Sequence, residues 1–268
     1  MARFTTPDGV TIAYDDIAPA GGAGRTVLLI HGFASNRNEG WRRTGWYGAF
    51  ERRGMRVIAL DQRGHGESEK LYDPQAYARD KLAADAFALL DHLGVGRADV
   101  FGYSMGTRTA LAMALAAPDR VSNLMLGGVG GKLREPSPAV EGNPMADAML
   151  AEDPATITQP MLQSFRHFAD EQGEDRKALA AVTGMKNPPF DWDAASALPM
   201  PVLVVAGRGD TGAGDPEDLA RAFPAGHGVT IPGCDHFSAI PHALTKAAVF
   251  DFLDGMMDDD FPEFEGRR

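Results

Sequence analysis

Unbroken apolar runs alternate with helix-periodic stretches along most of this chain, and that alternation is its clearest structural signal. Thr26-Val27-Leu28-Leu29-Ile30 has no polar interruption past Thr26, which predicts a strand buried on both faces of a parallel sheet. The segments Arg56–Leu60, Ala98–Phe101, Val121–Leu126, Pro201–Gly207 and Val229–Ile231 read the same way. Between them, Trp46–Arg53, Tyr77–Leu93 and Thr107–Ala117 carry helical patterning. The second places apolar residues at 82, 86, 89, 90 and 93. Ahead of the first buried strand, Phe4–Thr6 and Val10–Tyr14 flank Pro7-Asp8-Gly9, a turn signal that predicts a hairpin. The resulting order predicts a mostly parallel sheet with helices on both faces.

The pattern changes at Gly127-Gly128-Val129-Gly130-Gly131. From there to about Ala195 no strand-like run occurs. Helical stretches are expected at Met145–Glu152, Ile157–Gln172 and Asp175–Met185, the middle one with Met161, Leu162, Phe165 and Phe168 near one face. The expected domains are thus a core of residues 1–130 and 196–268, with residues 131–195 as a helical cap over the sheet edge. Toward the C-terminus, helices are expected at Pro216–Phe223 and Pro241–Met256, the latter with its proline in the first turn. The acidic tail from Asp258 to Arg268 is expected to fray.

Composition narrows the class. The 268 residues are 44% hydrophobic, ample for one large core. A net charge of -11, without a long basic run, disfavours nucleic acid as a partner. Cys234 is the lone cysteine, so it forms neither an internal disulfide nor a zinc set. No apolar stretch has the length to span a bilayer, and the first residues carry no apolar signal segment. The expectation is a soluble, cytoplasmic protein with no membrane partner, acting as monomer or homodimer.

The chemistry centres on Gly102-Tyr103-Ser104-Met105-Gly106, which lies between an expected strand and an expected helix. A strand that turns sharply into a helix through G-x-S-x-G strains the serine backbone and exposes its hydroxyl. The hydroxyl needs a base to become a nucleophile. Of the seven histidines, His236 follows the last strand in a Gly-led loop at the same sheet edge, and it is the expected base. His31 and His65, in Gly-rich loops, are expected to hold backbone groups. Asp210 ends the strand after the insert and is the expected acid that orients the imidazole, with Asp215 the runner-up and Asp235 a weaker choice. The backbone N–H groups of Phe33 and Met105 are the expected oxyanion donors. Phe33, Tyr103, Met145, Met149, Phe165 and Phe168 are expected to bind substrate. No metal or cofactor is called for. Arg108, Arg134 and Arg166 are cations that an anionic substrate could use, but nothing in the sequence assigns them to the site.

In order, His31-Gly32-Phe33, Asp61-Gln62-Arg63-Gly64-His65-Gly66-Glu67-Ser68, Gly102–Gly106, Gly207-Arg208-Gly209-Asp210 and Gly233–His236 resemble the motifs of the α/β-hydrolase superfamily. The likeness runs from about Thr26 to the last helix and leans toward the small-capped serine carboxylesterases. It implies an α/β-hydrolase fold with a helical cap, and a small-molecule carboxylic ester cleaved through an acyl-enzyme. A lactone, a thioester or a C–C bond next to a carbonyl would use the same groups, and a receptor that kept the fold without turnover is the remote alternative. Serine at the elbow separates the chain from haloalkane dehalogenases and epoxide hydrolases, which resemble it but carry aspartate there.

Overall fold

The computed structural model describes residues 2–19, 21–22, 24–136 and 142–258. An eight-stranded sheet forms the frame, in the order β1-β2-β4-β3-β5-β6-β7-β8. Its strands are β1 (Ala2–Thr5), β2 (Thr11–Ile17), β3 (Arg25–Ile30), β4 (Met55–Leu60), β5 (Ala98–Tyr103), β6 (Val121–Gly127), β7 (Val202–Gly207) and β8 (Gly226–Ile231). The β1–β2 hairpin joins antiparallel to β4, and every pairing from β4 through β3 to β8 is parallel. The chain enters at β3, steps to one side for β4, then returns past β3 to β5. In an open α/β sheet, such a reversal opens a crevice at the carboxyl ends of the two strands. The loops after β3 and β5 carry His31-Gly32-Phe33 and Ser104.

Both faces of the sheet are covered, which explains the unbroken apolar runs. Leu28, Ile30, Ile58, Leu60, Val100, Leu124 and Leu126 face α2 (Arg79–His92) and α3 (Met105–Ala116). The alternating set Val27, Leu29, Val57, Phe101 and Met125 packs on α1 (Trp46–Glu51) and on the last helix through Val249, Phe250 and Leu253. All six residues of β5 are buried, as are all six of β7.

Between β6 and β7 the chain forms α4 (Pro144–Leu150), α5 (Pro160–Gln172), α6 (Arg176–Gly184) and α7 (Trp192–Ala195). Beyond β7 come α8 (Pro216–Ala220) and α9 (Ala243–Leu253). Several details differ from the sequence expectations. A π-helical turn at Asn38–Arg42, which has no periodic signature, precedes α1. Met161 is 59% exposed, because the buried stripe of α5 runs through Leu162, Arg166 and Ala169 instead. The last helix is capped by His242, whose ring accepts the Leu244 N–H, so Pro241 stands before the cap. In α8 the helical run stops at Ala220, three residues short of Phe223. The expected fraying of the acidic tail concerns residues beyond 258, outside the described residues.

Buried polar groups tie the loops at the active edge of the sheet together. His31 Nε2 accepts the Gln62 N–H at 2.9 Å, so Nδ1 carries the proton and donates to the Gly32 carbonyl at 2.7 Å. Gln62 returns its amide to the His31 carbonyl at 2.8 Å and accepts from the Thr109 hydroxyl at 2.7 Å. The Asp61 carboxylate, fully buried, accepts the backbone N–H groups of Arg37 and Glu67 and pairs with the Arg37 guanidinium. Arg63 is clamped between Asp85 and Asp8. Each ionic group in this layer has hydrogen-bonded counter-charge, as burial requires.

Two expectations follow. At Gly106 a Cβ would run into the Ile30 carbonyl oxygen and come within 2.6 Å of that of His31, both backbone atoms that cannot step aside. Gly106→Ala is expected to destabilise the fold by about 3 kcal/mol or more; an unchanged urea midpoint would contradict this packing. The second concerns pH. Burial pushes the pKa of His31 and His65 down from the ordinary value of 6.5, His65 furthest, with His31 beside it adding to the shift. His65 Nε2 has no hydrogen-bond partner among the described residues, so a proton there would be stranded. Both groups bind more protons unfolded than folded below pH 6.5. Their stabilising contribution is therefore complete above that pH and lost as the pH falls toward their depressed folded values. The urea midpoint should drop from pH 7 to pH 5, with a shallower slope in His65→Gln; equal slopes would count against the buried neutral imidazole.

Candidate active site

Ser104 links the last residue of β5 to the first of α3 with φ 55° and ψ -113°, one of two non-glycine residues with positive φ among the described residues. Such a conformation costs of order 1–3 kcal/mol and persists only where its surroundings impose it. The surroundings do so here. The Ser104 N–H donates to the Gly127 carbonyl at 2.7 Å, and the Thr107 hydroxyl reaches the Gly102 and Gly127 carbonyls, each at 3.0 Å. A Cβ at Gly102 would come within 2.7 Å of the Thr107 nitrogen, so the strand and helix meet too closely for any side chain there.

The Ser104 hydroxyl lies 2.9 Å from His236 Nε2, and His236 Nδ1 lies 2.5 Å from Asp210 Oδ2. A carboxylate oxygen accepts, so with Nδ1 donating to Asp210, Nε2 is left facing the hydroxyl as acceptor. Asp210 is almost fully buried and also accepts the Ala213 N–H at 3.2 Å. Asp215, the runner-up acid, is engaged elsewhere: it caps α8 by accepting the Glu217 N–H at 2.9 Å. Asp235 is locked in its own turn, accepting from the Ser238 and Phe237 N–H groups and the Ser238 hydroxyl, which hold its pKa down.

The loop that presents His236 is fixed from two sides. The Gly209 N–H donates to the Cys234 carbonyl at 2.7 Å, and the Tyr103 hydroxyl donates to the His236 carbonyl at 2.6 Å. Burial pushes the Tyr103 pKa up, which keeps that donor protonated. Sequence reasoning placed Tyr103 as a substrate contact and missed this clamp. A tyrosine beside the elbow serine was the available signal, but the loop it reaches lies 133 residues away.

On the other side of Ser104, Gly32 makes room: a Cβ there would stand 3.2 Å from the Ser104 Cβ. The backbone N–H groups of Phe33 and Met105 have no acceptor among the described residues. Met105 opens α3, where the helix dipole favours negative charge.

A cavity of about 160 Å³ opens onto Ser104 and His236. Phe33, Tyr103, Phe165 and Phe168 line it, as do Ser35, Glu39, Gly40, Thr44, Phe237, Ile240 and Pro241. The Phe165 ring stands 5.9 Å from Phe33 and 5.4 Å from Phe237, and Phe168 lies 5.7 Å from Phe237. Met145 and Met149 are corrections. Neither lines the cavity; Met149 is fully buried with Leu179 and Ala169, and Met145 packs beside it, so both belong to the packing of the insert. Among the described residues, no arginine or lysine lines the cavity. Arg166 instead caps the end of α4 through the Ala148 and Ala151 carbonyls, and Arg134 lies over Trp192. The contributions of the π-helical turn to the cavity, Glu39 and Gly40, had no periodic or motif signal. Phe237 was signalled only by its place beside His236. Among the described residues, no three His, Cys, Asp or Glu side chains stand together to hold a metal ion, and no helix is long and apolar enough to cross a membrane.

The fold agrees with what known proteins show. Residues 25–178 match the family model of the alpha/beta hydrolase fold. The chain is 36% identical over 232 residues to the dihydrolipoyllysine-residue acetyltransferase component of an acetoin cleaving system from Pseudomonas putida, covering 81% of this chain and 60% of that protein. It is 30% identical to a 2-hydroxy-6-oxononadienedioate/2-hydroxy-6-oxononatrienedioate hydrolase from Cupriavidus pinatubonensis, covering 94% of this chain and 95% of the relative. For the first three curated relatives, the match spans only 43–60% of their length. Among solved structures, a thermophilic esterase from Thermogutta terrifontis superposes with a TM-score of 0.75 at 26% identity, over 96% of this chain and 98% of that one. The chain belongs to the alpha/beta hydrolase fold family.

Proposed function

We propose that this hydrolase cleaves small, uncharged carboxylic esters, with Ser104 as nucleophile, His236 as general base and acid, and Asp210 as the acid that orients it. One observation carries the reading: the hydrogen-bonded chain Ser104–His236–Asp210 at a strained elbow that faces an apolar cavity. Ser104 Oγ attacks the ester carbonyl while its proton passes to His236 Nε2, and Asp210 stabilises the imidazolium. The N–H groups of Phe33 and Met105 receive the negative charge that develops on the carbonyl oxygen. Collapse expels the alcohol, protonated by His236, and leaves an acyl-serine. Water, deprotonated by His236, then attacks the acyl carbon and releases the carboxylic acid and Ser104. The insert of residues 131–195 acts as a cap, since α5 supplies Phe165 and Phe168 to the cavity.

A second reading, cleavage of a C–C bond next to a carbonyl, draws support from the Cupriavidus relative. A dioate carries two carboxylates, and among the described residues neither arginine nor lysine lines the cavity to receive them. That absence favours the ester over the dioate.

Initial rates on p-nitrophenyl esters of increasing acyl length test the reading. Wild-type protein should show an optimum at short chains, because the cavity is smaller than the common range of about 300–1,000 Å³ for ligand pockets. Ser104→Ala should lose about 10⁴-fold or more in kcat while keeping the wild-type melting temperature. Near-wild-type turnover by the pure variant, or no ester hydrolysis by folded wild-type protein, would contradict it.

A further inference from the structure

The cavity next to Ser104 is not uniformly apolar. Phe33, Phe165, Phe168 and Phe237 supply its aromatic lining, whereas the π-helical turn and the loop before it bring in Ser35, Glu39 and Gly40. Apart from His236 and Tyr103, Glu39 is the only ionisable side chain that lines it among the described residues.

Glu39 is held in place. Its backbone N–H donates to Asn36 Oδ1 at 3.0 Å, its carboxylate accepts from Arg43 at 2.9 Å and from Asn38 Nδ2 at 3.1 Å, and its side chain is only 15% exposed. With the Gln172 amide turned to donate, its nitrogen lies 3.2 Å from both carboxylate oxygens. Arg43 and Asn38 both reach Oε1, and Oε2 is met by Gln172 alone, so Oε2 keeps capacity for a further donor. Ser35 is buried among the lining residues, and its hydroxyl makes no hydrogen bond among the described residues. A Cβ at Gly40 would stand 3.3 Å from that hydroxyl, so glycine keeps the approach to it open.

We infer that Ser35 and Glu39 form a subsite that recognises a hydroxyl group on the substrate and rejects a carboxylate. This rests on the ester-hydrolase reading above and specifies its substrate class. A substrate hydroxyl donates to the carboxylate in a charge-assisted hydrogen bond and accepts from the Ser35 hydroxyl. A substrate carboxylate would meet a like charge, with no arginine or lysine among the described residues of the cavity lining to offset it. An ammonium group is the weaker fit, because Arg43 already pairs with Glu39.

The test compares kcat/KM for esters matched in length and ending in methyl, hydroxymethyl, aminomethyl or carboxylate. One series varies the acyl side and a second varies the alcohol side. In one series the wild-type enzyme should prefer hydroxymethyl over methyl by about tenfold, the size of one hydrogen bond to a charged group. Glu39→Gln should shrink that preference and raise carboxylate relative to methyl, each by several-fold. Ser35→Ala, a second variant, should shrink the hydroxymethyl preference and leave the carboxylate-to-methyl ratio as it is in wild type. Melting temperatures check that both variants are folded. Ratios in folded Glu39→Gln equal to those of a wild-type enzyme that hydrolyses esters would overturn the subsite and leave the ester reading standing. A preference for aminomethyl over hydroxymethyl that Glu39→Gln abolishes would overturn the hydroxyl assignment. Failure of wild type on every ester would overturn the ester reading, and this inference with it.

Discussion

The close approach of β3, β5 and α3 is the constraint on which the rest of the structure depends. Gly106 sits against the carbonyls of Ile30 and His31, and Gly102 against the first turn of α3, so the chain can leave β5 only through a sharp turn. Ser104 occupies that turn at φ 55°. Its strain, of order 1–3 kcal/mol, is small beside the burial of central strands covered on both faces. The same approach puts the Phe33 loop beside Ser104, because Gly32 leaves space for the serine Cβ, and it sets the N–H of Met105 at the start of a helix. The strained turn at Ser104, the placement of the Phe33 and Met105 N–H groups beside it and the crevice at the β3/β5 reversal are thus consequences of one packing decision.

Polar groups divide between two tasks. Behind the site, Asp61, Arg37, Gln62 and His31 form a buried, hydrogen-bonded layer that joins the loops after β3 and β4. Because Asp61 holds the Arg37 N–H and His31 holds the Gly32 carbonyl, the Phe33 backbone is supported on both sides. In front, the cavity is short of charge, and His236 is aimed at Ser104 by Asp210 from one end and by the Tyr103 hydroxyl from its own carbonyl. The first set fixes positions; the second leaves reactive atoms open to a ligand.

Much of this was legible in the sequence, for identifiable reasons. Strands buried on both faces need continuous apolar runs, so Val27–Ile30 and Val202–Ala206 announce themselves. The elbow is legible because its close contacts demand glycine at 102 and 106. His236 and Asp210 follow from the rule that strand ends meet at one edge of a parallel sheet. What was hidden depends on tertiary neighbours. The turn at Asn38–Arg42 has neither the 3.6 nor the 2.0 period, so its delivery of Glu39 to the cavity left no trace. Met145 and Met149 carry the same apolar character as Phe165 and Phe168, and only packing decides which pair faces the cavity and which the interior of the insert. For Asp215 the distinction from Asp210 came from a helix cap one turn away.

The most direct test of the account is to identify the nucleophile it requires. Protein treated with a fluorophosphonate would be measured by intact mass and then mapped by peptide fragmentation, alongside His236→Ala. The account expects one adduct per chain, located on Ser104, that forms far more slowly when His236 is removed. No adduct on folded wild-type protein, or an adduct on a residue other than Ser104, would contradict it.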